Sequence, residues 1–302
     1  MTHPLDEDGF FCVATERALI EFQASRGLRT DGLCDPSTWS ALVEASWSLG
    51  DRMLYLTSPN FRGDDVVELQ TLISKLGFDC GRVDGIFGPL LAHAIGEFQA
   101  NAGLSVDGIC SADTVVALRR LSSQSGVGPG VSSLRESERL LLSFDDRKMH
   151  RVVVGQFGGL SGMARLVSRA LREAHDIVML VDEPDVSAHI KAANHFGADA
   201  YIGLEAHAEP MCTLAYYSVP GYTSTGGQAL AETIAQEIAA AVPALSVTCS
   251  GMRLPVLRET RMPAVLCSFG PFQTVVDNAP ELAACVSAAF SLWQHSLHSP
   301  QP

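Results

Sequence analysis

Residues 151–159 read RVVVGQFGG. Val152, Val153 and Val154 are three β-branched apolar residues closed by a glycine, the pattern of a strand buried on both faces at the start of an α/β sheet. Ligands of such sheets gather just beyond the carboxyl ends of the strands, so residues 155–159 stand on the rim where a site would be built. That rim carries Gln156 and Phe157. Neither is an acid, a base or a good metal ligand.

Outward from this strand, residues 148–298 alternate between two patterns. Apolar runs at 177–181, 200–204, 213–219 and 264–267 predict strands. Helices are predicted over 161–173, 186–196, 226–242 and 280–295, the third with Leu230, Ile234 and Ile238 on one face. Such alternation predicts a largely parallel sheet covered by helices. Residues 122–147 precede it and read as a linker. Its first part, SSQSGVGPGVSS over 122–133, is too rich in Ser, Gly and Pro to bury an ordered core.

The amino-terminal part holds an internal repeat. Residues 8–42 match residues 84–118 at a constant offset of 76, with 16 of 35 positions identical, among them the EFQA of 21–24 and 97–100. In each unit the pattern is turn, helix, turn, helix. Asp84-Gly85 and Asp107-Gly108 mark tight turns, and Ala94, Ile95 and Phe98 give one helical face. Gly103 ends that helix, and Ser111 or Asp113 caps the next, which carries Val115, Val116 and Leu118. A leading helix over 64–76, with Val66, Leu69, Leu72, Ile73 and Leu76 inward, completes the second unit, residues 63–121, as three helices around a small core. The first unit, residues 1–46, lacks a counterpart, and residues 43–62, with Trp47, Leu49, Leu54 and Tyr55, are one candidate to complete it.

Length and composition suit two or three globular domains: 302 residues, 47% apolar and 18% charged. A formal charge of −13 argues against partners held through phosphates, so no nucleic-acid partner is expected. The opening MTHPLDEDGFF has neither a basic nor an apolar signal region, and no stretch has the ~18 apolar residues of a membrane span. A cytoplasmic protein is expected, or a cell-wall one if the true start lies upstream. Eight cysteines without a CxxC pair read as free, structural thiols, with Cys34 and Cys110 in equivalent packing positions.

The repeats resemble the peptidoglycan-binding domain 1 family. DGIFG at 84–88 and EFQANAGLSVDG at 97–108 follow its signature closely, while the first unit keeps EFQ, GL and DG but has Cys12 where the family prefers glycine. The resemblance implies small three-helix modules that dock glycan strands or stem peptides. The same residues also read as fold determinants, Phe22 and Phe98 as core and the glycines as turns.

Residues 148–298 resemble the zinc-dependent N-acetylmuramoyl-L-alanine amidases of the amidase 3 family, through ANHFGADAYIGL at 193–204 and VLRETRMPAVLCSFG at 256–270. The resemblance implies an open zinc site of two His and one Glu, with a glutamate base. Carried onto this chain, the first ligand His falls on Phe157, the second on Glu205 and the catalytic Glu on Ser268, while residues 155–172 hold no acid for the ligand Glu. No catalytic residue, metal or cofactor is therefore expected. Glu205, His207 and Glu209 are of ligand type at alternate positions but read as a solvated loop; His150, His175 and His195 share no motif; Cys267 reads as core. Arg258 survives from the family pattern. It could bind the carboxylate of a muramyl peptide or pair with an internal acid, so Arg258, Glu205 and His207 are the candidate ligand-binding residues.

In order and in motifs the chain resembles the actinobacterial CwlM-type proteins, tandem peptidoglycan-binding modules ahead of a degenerate amidase domain. The fold class expected is α plus α/β. The resemblance implies a pseudoenzyme that regulates cell-wall biogenesis, with peptidoglycan or a muropeptide precursor as ligand and a precursor-synthesis enzyme as a further partner. Two alternatives stand beside it: an active, exported amidase with zinc at a shifted set around Glu205 and His207, and a scaffold whose modules bind protein.

Overall fold

A computed structural model describes residues 9–123, 130–143, 149–208, 210 and 212–298. The chain divides into two compact units, residues 1–128 and 129–302.

The first unit is helical: α1 Val13–Ser25, α2 Pro36–Ala45, α3 Asp64–Lys75, α4 Pro89–Ala102 and α5 Ala112–Ser122. Helices α3, α4 and α5 form the second repeat module, with Val66, Leu69, Ile73, Phe87, Leu91, Ala94, Ile95, Phe98, Val115 and Leu118 in one buried cluster. Gly103, at φ 71°, closes α4, and the Ser111 side chain caps α5 through Thr114 N–H. Val115 and Leu118 take the inner face of α5, and Val116 is exposed. The first module has two helices among the described residues, not three.

The segment between the modules belongs to the second. Leu49 and Leu54 join its core. Leu54 exchanges backbone hydrogen bonds with Cys110 at 3.3 and 2.8 Å, and Arg119 Nη2 donates to Leu49 O at 2.9 Å. Arg52 donates to the buried Asp65 carboxylate at 2.7 Å and stacks on the rings of Trp47 and Phe61. Residues 49–54 therefore do not complete the first module.

Three Asp-Gly turns in this unit, at 31–32, 84–85 and 107–108, are each held by a buried glutamine. Gln99 Nε2 donates to Asp107 Oδ1, Ile109 O and Thr114 Oγ1, while its Oε1 accepts from the N–H groups of Asp107 and Gly108. Gln23 repeats the pattern on Asp31, Leu33 O, Thr38 and Gly32 N–H. Gln70 of α3 does the same for Asp84 and Gly85. A buried amide with every donor and acceptor used fixes a turn that has no strand to support it.

The second unit begins with α6 Val131–Ser143. This corrects the reading of residues 122–147 as linker: Ser122 ends α5, and α6 is seated on the sheet domain. The Glu136 carboxylate accepts from Tyr222 OH at 2.6 Å and Ser224 Oγ at 2.5 Å, and Leu140 enters the core. Glycine and serine ahead of the helix masked an amphipathic stretch, SLRESERLLL.

Strands β1 Arg151–Gln156, β2 Ile177–Asp182, β3 Ala200–Ala206, β4 Cys212–Val219, β5 Tyr222–Thr223, β6 Val247–Met252 and β7 Ala264–Phe269 alternate with α7 Ser161–Glu173, α8 Val186–Phe196, α9 Thr225–Ala241, α10 Pro255–Glu259, α11 Phe272–Asp277 and α12 Ala279–His298. The sheet order is β2-β1-β3-β7-β4-β5, with β6 on β4. Strands β2, β1, β3 and β7 run parallel, and β4 is antiparallel to β7. Val152, Val154, Ile202, Leu204, Val265 and Cys267 turn to one face, where α7, α9 and α12 bury Val167, Leu230, Ile234, Phe290 and Trp293. No described helix is long and apolar enough to cross a membrane.

Candidate functional site

The carboxyl ends of β1, β3 and β7 are neighbours, so the three sequence-predicted positions meet there. Glu205 and Ser268 are paired in the β3–β7 register, and Ser268 Oγ donates to Glu205 Oε1 at 2.5 Å. Phe157 N–H donates to Leu204 O at 3.3 Å, next to Glu205. Glu205 itself is buried.

The face opposite the main core carries a feature that the sequence did not announce. Gly155 and Gly203 are register partners on β1 and β3. A Cβ on Gly155 would lie 2.3 Å from Tyr201 OH and 2.4 Å from His189 Nδ1, so the absent side chain is what lets those groups cross the sheet. His189 comes from α8 and is fully buried. Its Nε2 bonds Glu183 O at 2.7 Å and its Nδ1 bonds Tyr201 OH at 2.8 Å. A carbonyl can only accept, so Nε2 carries the proton, and the tyrosine donates to Nδ1. Desolvation lowers the pKa of His189, keeping the ring neutral. Phe157 stacks on that ring, centroids 4.2 Å apart at 22°. A file of Phe157, His189 and Tyr201 thus fills the space beneath the rim.

Gln156, read as a residue without chemistry, builds the rim loop. Its Nε2 donates to Asp182, and its Oε1 accepts from Gly158 N–H at 2.8 Å and Leu160 N–H at 3.3 Å. His207 is exposed, and its N–H donates to Phe269 O at 2.6 Å. Glu209 lies outside the described residues. Arg258, on α10, is buried and not displayed to solvent. Cys267 is fully buried, and desolvation raises its pKa well above that of a free thiol, as suits a core residue. Cys110 is buried too, but its repeat counterpart Cys34 is exposed, against the expectation of equal packing.

The motifs that looked most like an amidase are joined to one another. Asn194 Nδ2 donates to Glu259 O at 3.0 Å, and Asn194 Oδ1 accepts from Arg261 N–H at 2.9 Å. ANHFGAD and VLRETRMP are therefore two sides of one structural lock. The zinc implied by the resemblance needs lone pairs from two His and one Glu. The residues present do not fit it: a phenyl ring stands where the resemblance puts one ligand, and among the described residues no group of three His, Cys, Asp or Glu could hold a metal ion.

The family "Putative peptidoglycan binding domain" matches residues 2–42 and 62–118. N-acetylmuramoyl-L-alanine amidase CwlM of Mycobacterium tuberculosis is 31% identical over 293 residues, covering 86% of this chain and 71% of that protein. The chain belongs to the CwlM family. Other relatives of this CwlM-type chain match smaller parts. N-acetylmuramoyl-L-alanine amidase CwlL of Bacillus licheniformis is 31% identical over 134 residues, 38% of this chain and 37% of that protein. The catalytic domain of CwlV, an N-acetylmuramoyl-L-alanine amidase from Bacillus (Paenibacillus) polymyxa var. colistinus, is 17% identical with a TM-score of 0.40, over 48% of the CwlM-type chain and 98% of that domain. Peptidoglycan-binding modules ahead of an amidase-like domain, the organisation expected of a CwlM-type protein, describe this chain.

Proposed function

We infer that the chain is a pseudoamidase: a cell-wall protein that binds peptidoglycan or a muropeptide precursor and regulates, without hydrolysing the muramoyl–alanine amide. One observation carries this reading. Ser268, where the resemblance puts the catalytic carboxylate, donates its hydroxyl at 2.5 Å to Glu205, where it puts a ligand. Phe157, where the resemblance puts another ligand, offers a ring that has no lone pair to give. A hydrolase of this family needs a water-activating base and an open metal position. Neither Phe157 nor Ser268 supplies one.

Peptidoglycan as ligand is supported by the two family matches in the first unit. A reducing, cytoplasmic location is in keeping with eight unbridged thiols, five of them buried. Metal analysis of the purified chain, run beside an assay for stem peptides released from peptidoglycan, tests the reading. Metal-free protein with no release is expected. Stoichiometric zinc with peptide release overturns it.

A further inference from the structure

The sheet ends on two long edge strands, β2 and β6, and the chain treats them differently. An edge strand offers a row of backbone groups to any strand that comes alongside, and charges or a blocking side chain keep it single. On β2, Ile177 N–H donates to His150 O, so the backbone groups of Val178 face outward. Arg172 Nη2 occupies that outward carbonyl at 3.0 Å, and the strand ends on Asp182. Strand β6 reads VTCSGM, without a charge or a proline, and among the described residues it pairs with β4 alone.

The phase of β6 fixes which groups are on offer. Cys212 N–H donates to Ser246 O at 2.9 Å, and Cys212 stands opposite Val247 in the parallel register. The backbone groups of Ser246, Thr248 and Ser250 therefore point to β4, and those of Val247, Cys249 and Gly251 point away. These three are evenly placed about Cys249, which is exposed. A second β6, antiparallel and related by a twofold axis through Cys249, sets Val247 against Gly251, Thr248 against Ser250 and Cys249 against its twin. All three outward residues are then paired, with about six N–H···O bonds. The branched side chain of Val247 faces the residue that has none, and two hydroxyls face each other. The chain already uses such hydroxyl pairs across strands, Thr213 with Thr248 at 3.2 Å and Ser218 with Thr223 at 3.0 Å. Moving the axis to Thr248 or to Ser250 leaves Gly251 or Val247 without a strand residue opposite.

We propose that β6 is a self-association edge: two copies of the chain pair β6 with β6, antiparallel about Cys249, into one continuous sheet. The contact is one short strand from each copy, so the dimer is weak, with a Kd on the order of 10–100 μM. Strands β7 and β4 stand between this edge and β3. The proposal therefore does not depend on whether the rim is catalytic.

Sedimentation of the intact protein between about 1 and 500 μM tests the proposal. A monomer–dimer equilibrium is expected. Cys249→Lys sets two like charges face to face on the axis and weakens it by about tenfold or more, whereas Cys249→Ser leaves it in place. Residue 249 is exposed, so circular dichroism of both variants stays native. The same thiol reports the geometry. With Cys12 and Cys34 replaced by serine, a short bismaleimide joins two chains, and adding Cys249→Ser abolishes the link. A monomer throughout the concentration range overturns the proposal and leaves the edge to a strand of another protein. So does a dimer indifferent to Cys249→Lys, or a cross-link that survives Cys249→Ser.

Discussion

The helical modules and the sheet rim both keep motif residues of their families, yet those residues act differently. In the modules the shared Gln, Asp and Gly residues hold turns in place, three times over with the same geometry. At the rim the shared segments hold each other through Asn194, while the positions to which the resemblance assigns chemistry carry Phe157, stacked on His189, and a hydrogen-bonded Ser268–Glu205 pair. A close motif match therefore reports a preserved scaffold in both regions. Whether a site survives is decided by the few side chains that point off that scaffold.

The largest expected effect sharpens the scaffold side. Gln99→Ala removes three donated and two accepted hydrogen bonds and strands buried backbone groups, so the helical unit loses about 3 kcal/mol. Gln23→Ala, with one bond fewer, loses about 2 kcal/mol. Urea titrations of the two variants make the measurement, and losses below about 0.5 kcal/mol would break the comparison. Next, Gly155→Ala drives a methyl group into Tyr201 and His189 and costs about 2 kcal/mol, read as a lower melting temperature of the sheet domain.

Tyr201→Phe is smaller, about 1 kcal/mol, because it deprives His189 Nδ1 of its donor without opening a cavity. The pH dependence of the same file follows from His189. Burial holds its folded pKa below the ordinary 6.5. The unfolded chain therefore binds the proton first, so the stability tied to the neutral ring is present above about pH 6.5 and is lost as pH falls below it. His189→Gln should flatten that acid-side decline in thermal melts. Asp176 runs the other way, and is the smallest effect. Desolvation raises its pKa from 3.8 to about 6, so its contribution is present below pH 3.8 and lost as pH rises through about 6. Asp176→Asn should raise the melting temperature at pH 7.5 and leave it unchanged at pH 3.5.

Much of this was legible before the fold was seen, because period and punctuation are local. The helices over 161–173 and 186–196 coincide with α7 and α8, and the valine run at 152–154 lies inside β1. Strand β6 escaped because VTCSGM, on a half-buried edge, alternates only over Val247 to Ser250, too short a run to mark a strand. Helix α6 escaped because the serines and glycines before it dominated the window. At the site, Phe157, Glu205 and Ser268 were placed by alignment to motifs, and strand register does bring them together. His189 and Tyr201 were missed: their partnership spans α8 and β3 and exists because Gly155 and Gly203 leave room. Two glycines in register on neighbouring strands were the available signal, visible once the strand pairing is known.

On the pseudoamidase reading proposed above, the Ser268–Glu205 bond also makes hydrolysis hard to regain. A glutamate substituted at 268 would meet the carboxylate of Glu205 across paired strands, and two such groups in contact cannot both stay ionised. A histidine at 157 would exchange the phenyl ring stacked on neutral His189 for a second imidazole. Each of these two steps carries its own penalty, so on that reading no single substitution restores the site.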